Sequence, residues 1–199
     1  LEHLNSGKPA SAFEVPEHNE PFRQTWHELS LLTAKPVIYC ANVDEAGLEE
    51  DNEHVRTLSA LASAHGAEVV KICARLEEEL QGLPDADQKE MLASYGIEES
   101  GLVHVIRTGY RTLGLASYFT AGPKEVRAWT FRRGWKAPQA AGVIHTDFEK
   151  GFIRAEVIGF DDYMTHKTEA ACRATGTLRV EGKDYTVRDG DVMHFLFNV

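Results

Sequence analysis

The chain has 199 residues, 43% hydrophobic and 26% charged, a balance that fits a globular protein with one large or two small cores. No apolar run nears the roughly eighteen residues that span a bilayer, no signal peptide is visible, and three isolated cysteines without a CxxC pair argue against a disulfide framework or a cysteine zinc site. Net charge is −10, yet residues 1–115 carry 9 Lys and Arg against 20 Asp and Glu, while residues 116–199 carry 12 against 11; this asymmetry points to two units with different partners and puts any RNA contact in the second.

The chain starts at Leu1, without an initiator methionine and in mid-phrase, so the expectation is a fragment whose N-terminal part is missing. Residues 1–20, punctuated by Gly7, Pro9 and Pro16, read as loop. From Pro21, the spacing of Phe22, Trp26, Leu29 and Thr33 predicts a helix, ended by Lys35-Pro36 because a residue before proline avoids the helical region. PVIYCA (36–41) is a continuous apolar run, expected to be a strand buried on both faces, with Cys40 and Cys73 as small buried hydrophobes. Leu48–His65 reads as one helix with Val55, Leu58, Leu61 and Ala62 on its apolar face and Gly66 as its stop. A second apolar run, EVVKIC (68–73), leads into the helix ARLEEELQGL. Strand, helix and strand with so long a connection form a parallel crossover, a piece of a doubly wound α/β domain. Two more helices follow near Asp85–Tyr95 and Glu99–Leu113.

Beyond Leu115 the pattern changes. EVRAWTFRRG predicts a strand, PQAAGVIHTDFEKG a helix closed by Gly151, FIRAEVIGF a strand and TEAACRATG a short helix. Two or three strands then run around the turns Glu181-Gly182-Lys183 and Asp189-Gly190. That order in about 80 residues predicts a small α+β domain of β-grasp type.

In open parallel sheets, ligands bind beyond the carboxyl ends of the strands. Asn42-Val43-Asp44-Glu45 follows the first strand and Ile72-Cys73-Ala74 ends the second, so the two segments should form the walls of one slot. A purine fits it: Asn42 braces the loops or offers both donor and acceptor, Val43 gives an apolar surface, and a backbone amide of Cys73 or Ala74 meets an exocyclic group. Guanine presents two adjacent donors that a carboxylate accepts together, usually from an Asp in the fourth place of Asn-Lys-x-Asp. Here the fourth place is Glu45, one methylene longer, and Asp44 is one residue off register, which weakens guanine without establishing adenine. Ser6-Gly7-Lys8-Pro9 is no phosphate loop, since Glu2 stands where glycine is needed and Pro9 where Ser or Thr is needed. His145 and Glu149 have metal-ligand spacing on the predicted helix but no third ligand, so they read as a surface pair. Arg132, Arg133 and Lys136 interleave with Trp129, Phe131 and Trp135, the mixture that single-stranded RNA binding uses, although Trp129 and Phe131 on one strand face equally read as core.

The stretch SYFTAGPKEVRAWTFRRGWKAPQAAGVIHTDFEKGFIRAEVIGFDDY resembles the C-terminal TGS domain of the YchF/Obg-like ATPase family, and KPVIYCANVDE with VVKICARLEEEL resembles the end of that family's nucleotide-binding domain. The resemblance spans residues 20–199. It implies an incomplete P-loop-type parallel α/β sheet over residues 35–115, a β-grasp TGS domain over 116–199, and the exit of a helical insertion over 1–34. It further implies a cytoplasmic, ribosome-associated ATPase that prefers ATP to GTP through Asn-x-x-Glu, with Asn42, Val43, Glu45, Ile72, Cys73 and Ala74 at the base. Ribosomal RNA is the implied partner, with neither a membrane nor a DNA specificity. ATP and Mg2+ belong to the parent protein, whose phosphate loop and Mg2+ ligands have no counterpart here; these residues alone are expected to be inactive and to hold no cofactor tightly. The competing expectations are an RNA- or ribosome-binding TGS module without activity, and a GTP-specific relative.

Overall fold

The computed structural model describes residues 2–14, 16, 18–122 and 125–198. Leu1, Val15 and Glu17 of the expected N-terminal loop, Pro123 and Lys124 of the stretch that carries the resemblance, and Val199 lie outside the described residues. The chain divides into two compact units, Leu1–Thr112 and Leu113–Val199.

In the first unit, α1 (Glu2–Asn5) and a single 3-10 turn at Ala10–Ala12 interrupt the expected loop. Helix α2 (Glu20–Leu29) starts where the Asn19 side chain accepts from Phe22 N at 3.1 Å, with Pro21 in its first turn. It stops four residues short of the predicted Thr33, because Ser30 turns into the left-handed region (φ 46°, ψ 39°). Thr33 instead accepts from Ala10 N through Oγ1 at 3.1 Å.

Strands β1 (Ile38–Asn42) and β2 (Glu68–Ile72) pair in parallel, Ile38 opposite Glu68 and Asn42 opposite Ile72, as the crossover pattern predicts. The predicted single helix between them is two. Asp44 and Asn52 each accept a backbone N–H three residues on, from Gly47 and Val55 at 2.9 Å, and start α3 (Glu45–Glu49) and α4 (Glu53–Ala64) separately. Gly66 takes φ +63°, a conformation costly for a residue with a Cβ. Of the expected apolar face of α4, Val55 and Ala62 are buried while Leu61 is exposed. Cys40 is exposed as well, against expectation: β1 bonds β2 alone in a two-stranded sheet, and no residue of β1 is fully buried. Helices α5 (Ala74–Leu80), α6 (Asp85–Ser94) and α7 (Gly101–Thr112) complete the unit, and Cys73, Leu76, Leu80 and Leu92 form a core among them.

The second unit opens with β3 (Leu115–Ala121), a strand the reading above does not contain, hydrogen-bonded along its length to β4 (Val126–Arg132). The predicted helix over 138–150 is α8 (Ala137–Gly142) and α9 (Thr146–Lys150), broken by extended backbone at His145 (φ −161°). Strand β5 (Phe152–Gly159), helix α10 (Phe160–His166), again unforeseen, helix α11 (Glu169–Thr175), and strands β6 (Arg179–Glu181) and β7 (Asp191–Phe197) follow. The sheet order is β4-β3-β7-β5-β6, with β3 and β7 parallel and the other pairs antiparallel.

Both faces of this sheet are covered, as the strand period of two requires. Val157 and Met193 join the core under α8, whereas their neighbours Ile158 and Val192 join a second cluster with Cys172 of α11. Tyr118 is fully buried, its hydroxyl donating to Ala140 O at 2.9 Å, and burial pushes its ionisation far above the ordinary tyrosine range. Trp129, Phe131 and Trp135 belong to or pack on the first core, which favours the packing reading of these aromatics. Among the described residues no helix is long and apolar enough to cross a membrane.

Candidate functional site

Parallel pairing in register brings the carboxyl ends of β1 and β2 side by side. Val43 N extends the ladder by donating to Ile72 O at 2.8 Å. One step further the strands diverge into loops, and there Asn42 Oδ1 accepts from Ala74 N at 3.0 Å across 32 residues of chain. Because the partner is a backbone N–H, the amide oxygen must face it, and both hydrogens of the Asn42 amide remain for something else.

The rest of the loop follows from local chemistry. Asp44, one residue off the fourth place, is consumed as the cap of α3. Gly47, three residues on, is buried, and a Cβ there would stand 2.7 Å from Val43 Cβ. Asp at the turn and Gly three positions later was the available signal for both, readable as an Asx cap. Glu45 sits in the first turn of α3, half-buried, with Oε1 3.8 Å from Arg75 Nη1. On the opposite wall Cys73 is buried and precedes α5, while Ala74 is exposed. Asn42, Val43, Glu45, Ile72, Cys73 and Ala74 therefore lie at the adjoining carboxyl ends of β1 and β2 and at the helix starts that follow them.

Two acidic residues beyond the slot set its frame. Glu77 of α5 receives Gly101 N at 2.6 Å and Leu102 N at 3.4 Å, so a carboxylate from a neighbouring helix caps the positive end of α7. A Cβ at Gly101 would meet Ile72 Cγ2 at 2.8 Å, so α7 rests directly on the end of β2. At the other end of α7, Arg111 Nε lies 2.9 Å from Glu68 Oε1 and holds that carboxyl below its ordinary range. No short-range sequence pattern announces these contacts, which span 24 and 43 residues.

The basic cluster of the second unit is less free than its sequence implies. Arg133 Nη2 is 2.7 Å from Asp189 Oδ2, and Lys136 Nζ is 2.7 Å from Asp184 Oδ1. Asp189 also accepts from Ser117 N at 3.0 Å, which makes Arg133 part of a turn anchor. Arg132, exposed at the end of β4, has no ion-pair partner among the described residues. His145 and Glu149 do not share a helix: His145 precedes α9, its Nδ1 accepting from Asp147 N at 3.2 Å. Among the described residues no group of three or more His, Cys, Asp or Glu could hold a metal ion.

Residues 115–198 match the family model YchF-GTPase_C, described as "Protein of unknown function (DUF933)". The chain is 53% identical over 171 residues to the ribosome-binding ATPase YchF of Escherichia coli O157:H7, covering 86% of this chain and 47% of that protein. It is 46% identical over 200 residues to the Bacillus subtilis protein of the same name, covering 100% of this chain and 54% of the relative. The Schizosaccharomyces pombe YchF GTPase superposes with a TM-score of 0.79 at 36% identity, over 98% of this chain and 52% of that one. A GTP binding protein from Pyrococcus horikoshii OT3, at 18% identity and a TM-score of 0.57, covers 83% of this chain and 47% of that one and shares the fold. The chain thus spans about half the length of the relatives it matches.

Proposed function

This chain belongs to the YchF family, and from that premise we propose that it supplies the purine-reading half of a P-loop nucleotide site, followed by a TGS domain, in a cytoplasmic, ribosome-associated ATPase. The reading takes residues 1–34 as the exit of a helical insertion, 35–115 as the end of the nucleotide-binding domain and 116–199 as the β-grasp TGS domain. The observation that carries it is the bond from Ala74 N to Asn42 Oδ1, which ties two loops together at the carboxyl end of a parallel pair.

The base of ATP would be held by Asn42, Val43 and Glu45 on one side and by Ile72, Cys73 and Ala74 on the other. Asn42 has a free amide donor for a purine ring nitrogen, and Val43 provides an apolar contact. Glu45 replaces the short carboxylate that accepts guanine's two donors, and Asp44 cannot deputise while it caps α3. Mg2+ is a different matter: no described cluster fits it, and no GxxxxGK[ST] occurs in residues 1–199, so no residue of this chain is assigned to the metal or the phosphates. The chain's own contribution is selection and orientation of the base, and residues 1–199 alone should not hydrolyse ATP.

Calorimetric titration of the full-length protein carrying this chain is expected to show ATP binding more tightly than GTP. Equal affinity, or a preference for GTP, overturns the adenine reading and supports a GTP-specific relative.

Arg132, exposed and without an ion-pair partner among the described residues, supports a ribosome contact through the second unit. Arg132→Ala with Arg133→Ala should weaken co-sedimentation with ribosomes at low salt, with most of the loss traceable to Arg132 alone, because Arg133 is already paired. Unchanged pelleting removes the patch from the ribosome contact. Undiminished pelleting by a full-length protein that binds no nucleotide would favour the TGS module without activity.

A further inference from the structure

The two loops of the slot are joined twice: by the amide of Asn42, and at their outer rim by an ion pair. Arg75 follows Ala74 directly and begins α5, and its guanidinium stands 3.8 Å from the Glu45 carboxylate of α3. Its side chain is largely exposed, and Nε also donates to Glu79 Oε1 at 3.2 Å, one helical turn along. The Glu79 hydrogen bond and, next, the Glu45 charge both favour the charged guanidinium. Asp44, the nearest alternative carboxylate on the loop, is bound to its own helix start.

We infer that Arg75 is a specificity-determining residue that acts through Glu45, offsetting the charge of the one carboxylate at the base that could read guanine. The inference rests on the adenine reading of this slot. A free carboxylate accepts guanine's two adjacent donors in a bidentate way, whereas one facing a guanidinium 3.8 Å away has part of its charge offset. Adenine presents a donor beside an acceptor, and an unneutralised carboxylate near that acceptor repels it. Pairing Glu45 with Arg75 therefore disfavours guanine and relieves adenine together. Arg75 touches no base in this scheme; it positions Glu45.

The experiment is competitive displacement of a fluorescent nucleotide by ATP and by GTP from the full-length protein, as wild type, Arg75→Gln, Arg75→Lys, Glu45→Gln and Glu45→Gln/Arg75→Gln. Arg75→Gln should lower the ratio of ATP to GTP affinity by roughly threefold to fivefold, the scale of an exposed ion pair, with Arg75→Lys retaining most of it. The wild-type ratio should fall toward that of Arg75→Gln as salt rises, because an exposed pair is screened. With Glu45→Gln already present, removing Arg75 should change the ratio no further. A wild type without adenine preference sinks the underlying reading. A wild type that prefers ATP, with a ratio unmoved by Arg75→Gln or moved equally with Glu45→Gln present, sinks this inference and leaves that reading standing.

Discussion

Asn42→Ala is expected to lower the affinity of the full-length protein for ATP and GTP alike by about tenfold or more, while its melting temperature falls only slightly. The side chain performs two separable tasks. Its oxygen accepts from Ala74 N at 3.0 Å and ties loop 42–45 to segment 72–74. Its two amide hydrogens stay available for an acceptor on the base. Removing the brace alone costs on the order of 1 kcal/mol, the net worth of one ordinary hydrogen bond, and a lost contact to bound base adds a similar amount. Together these correspond to roughly thirtyfold in the dissociation constant if both are lost in full. Asn42→Asp separates the tasks: a carboxylate still accepts from Ala74 N, so the loops stay tied and melting is preserved, but it offers no donor and repels a purine ring nitrogen. Titration of both variants with both nucleotides checks this. If Asn42→Asp binds as wild type does, Asn42 is a brace and nothing more. Because adenine and guanine share that ring acceptor, Asn42 should leave the choice between them unchanged, in contrast to Arg75.

What sequence could show of this site follows from how far each contact reaches along the chain. Apolar runs at 36–41 and 68–73 announce the two strands because β-branched and aromatic side chains suit a pleated backbone, even where, as at Cys40, the strand is not enclosed. Asn-x-x-Glu after such a run marks the loop. The partner of Asn42 is a backbone N–H, which any residue type supplies, so position 74 carries no compositional mark of its role. Glu77 at the start of α7 and Asp189 beside Arg133 are ordinary charged residues until the fold brings them within 2.6 Å and 2.7 Å of their partners. That is why the basic cluster at 132–136 looked freer than it is.

Helix continuity fails for a related reason. The 48–65 and 138–150 segments keep helical spacing of apolar residues across their breaks. The breaks come from caps, Asn52 binding Val55 N and His145 binding Asp147 N, that a periodicity count passes over. Strand β3 escaped because LASYFTA is covered on both faces, Ala116 and Tyr118 toward one cluster and Phe119 and Ala121 toward the other, which erases the alternation.

Gly151→Ala should destabilise the second unit by about 3 kcal/mol, toward the upper end of what overpacking costs. Gly151 closes α9 by donating from its N to Asp147 O at 2.8 Å, and its own carbonyl accepts from Asn198 N at 2.9 Å. A Cβ at this position would overlap the Asn198 carbonyl oxygen and stand 2.9 Å from its carbon, with Asp147 O at 3.2 Å. Both obstacles are backbone, so no rotamer change relieves them; either Asn198, which directly follows β7, or the end of α9 must move. β7 lies between β3 and β5 in the sheet and carries Met193 and Phe195 into the core, so a shift of Asn198 pulls on the end of a central strand. The conformation of Gly151 is itself ordinary (φ −90°, ψ 9°), so the cost should come from the collision and not from backbone strain. Thermal unfolding followed by tryptophan fluorescence reads this unit well, because Trp129 and Trp135 pack on that core. Gly142→Ala in the same unit is the comparison, since the close atoms there belong to the flexible Glu149 side chain and can swing away. A Gly151→Ala protein that melts with Gly142→Ala and wild type would show that the closure of α9 against Asn198 contributes nothing to the stability of the second unit.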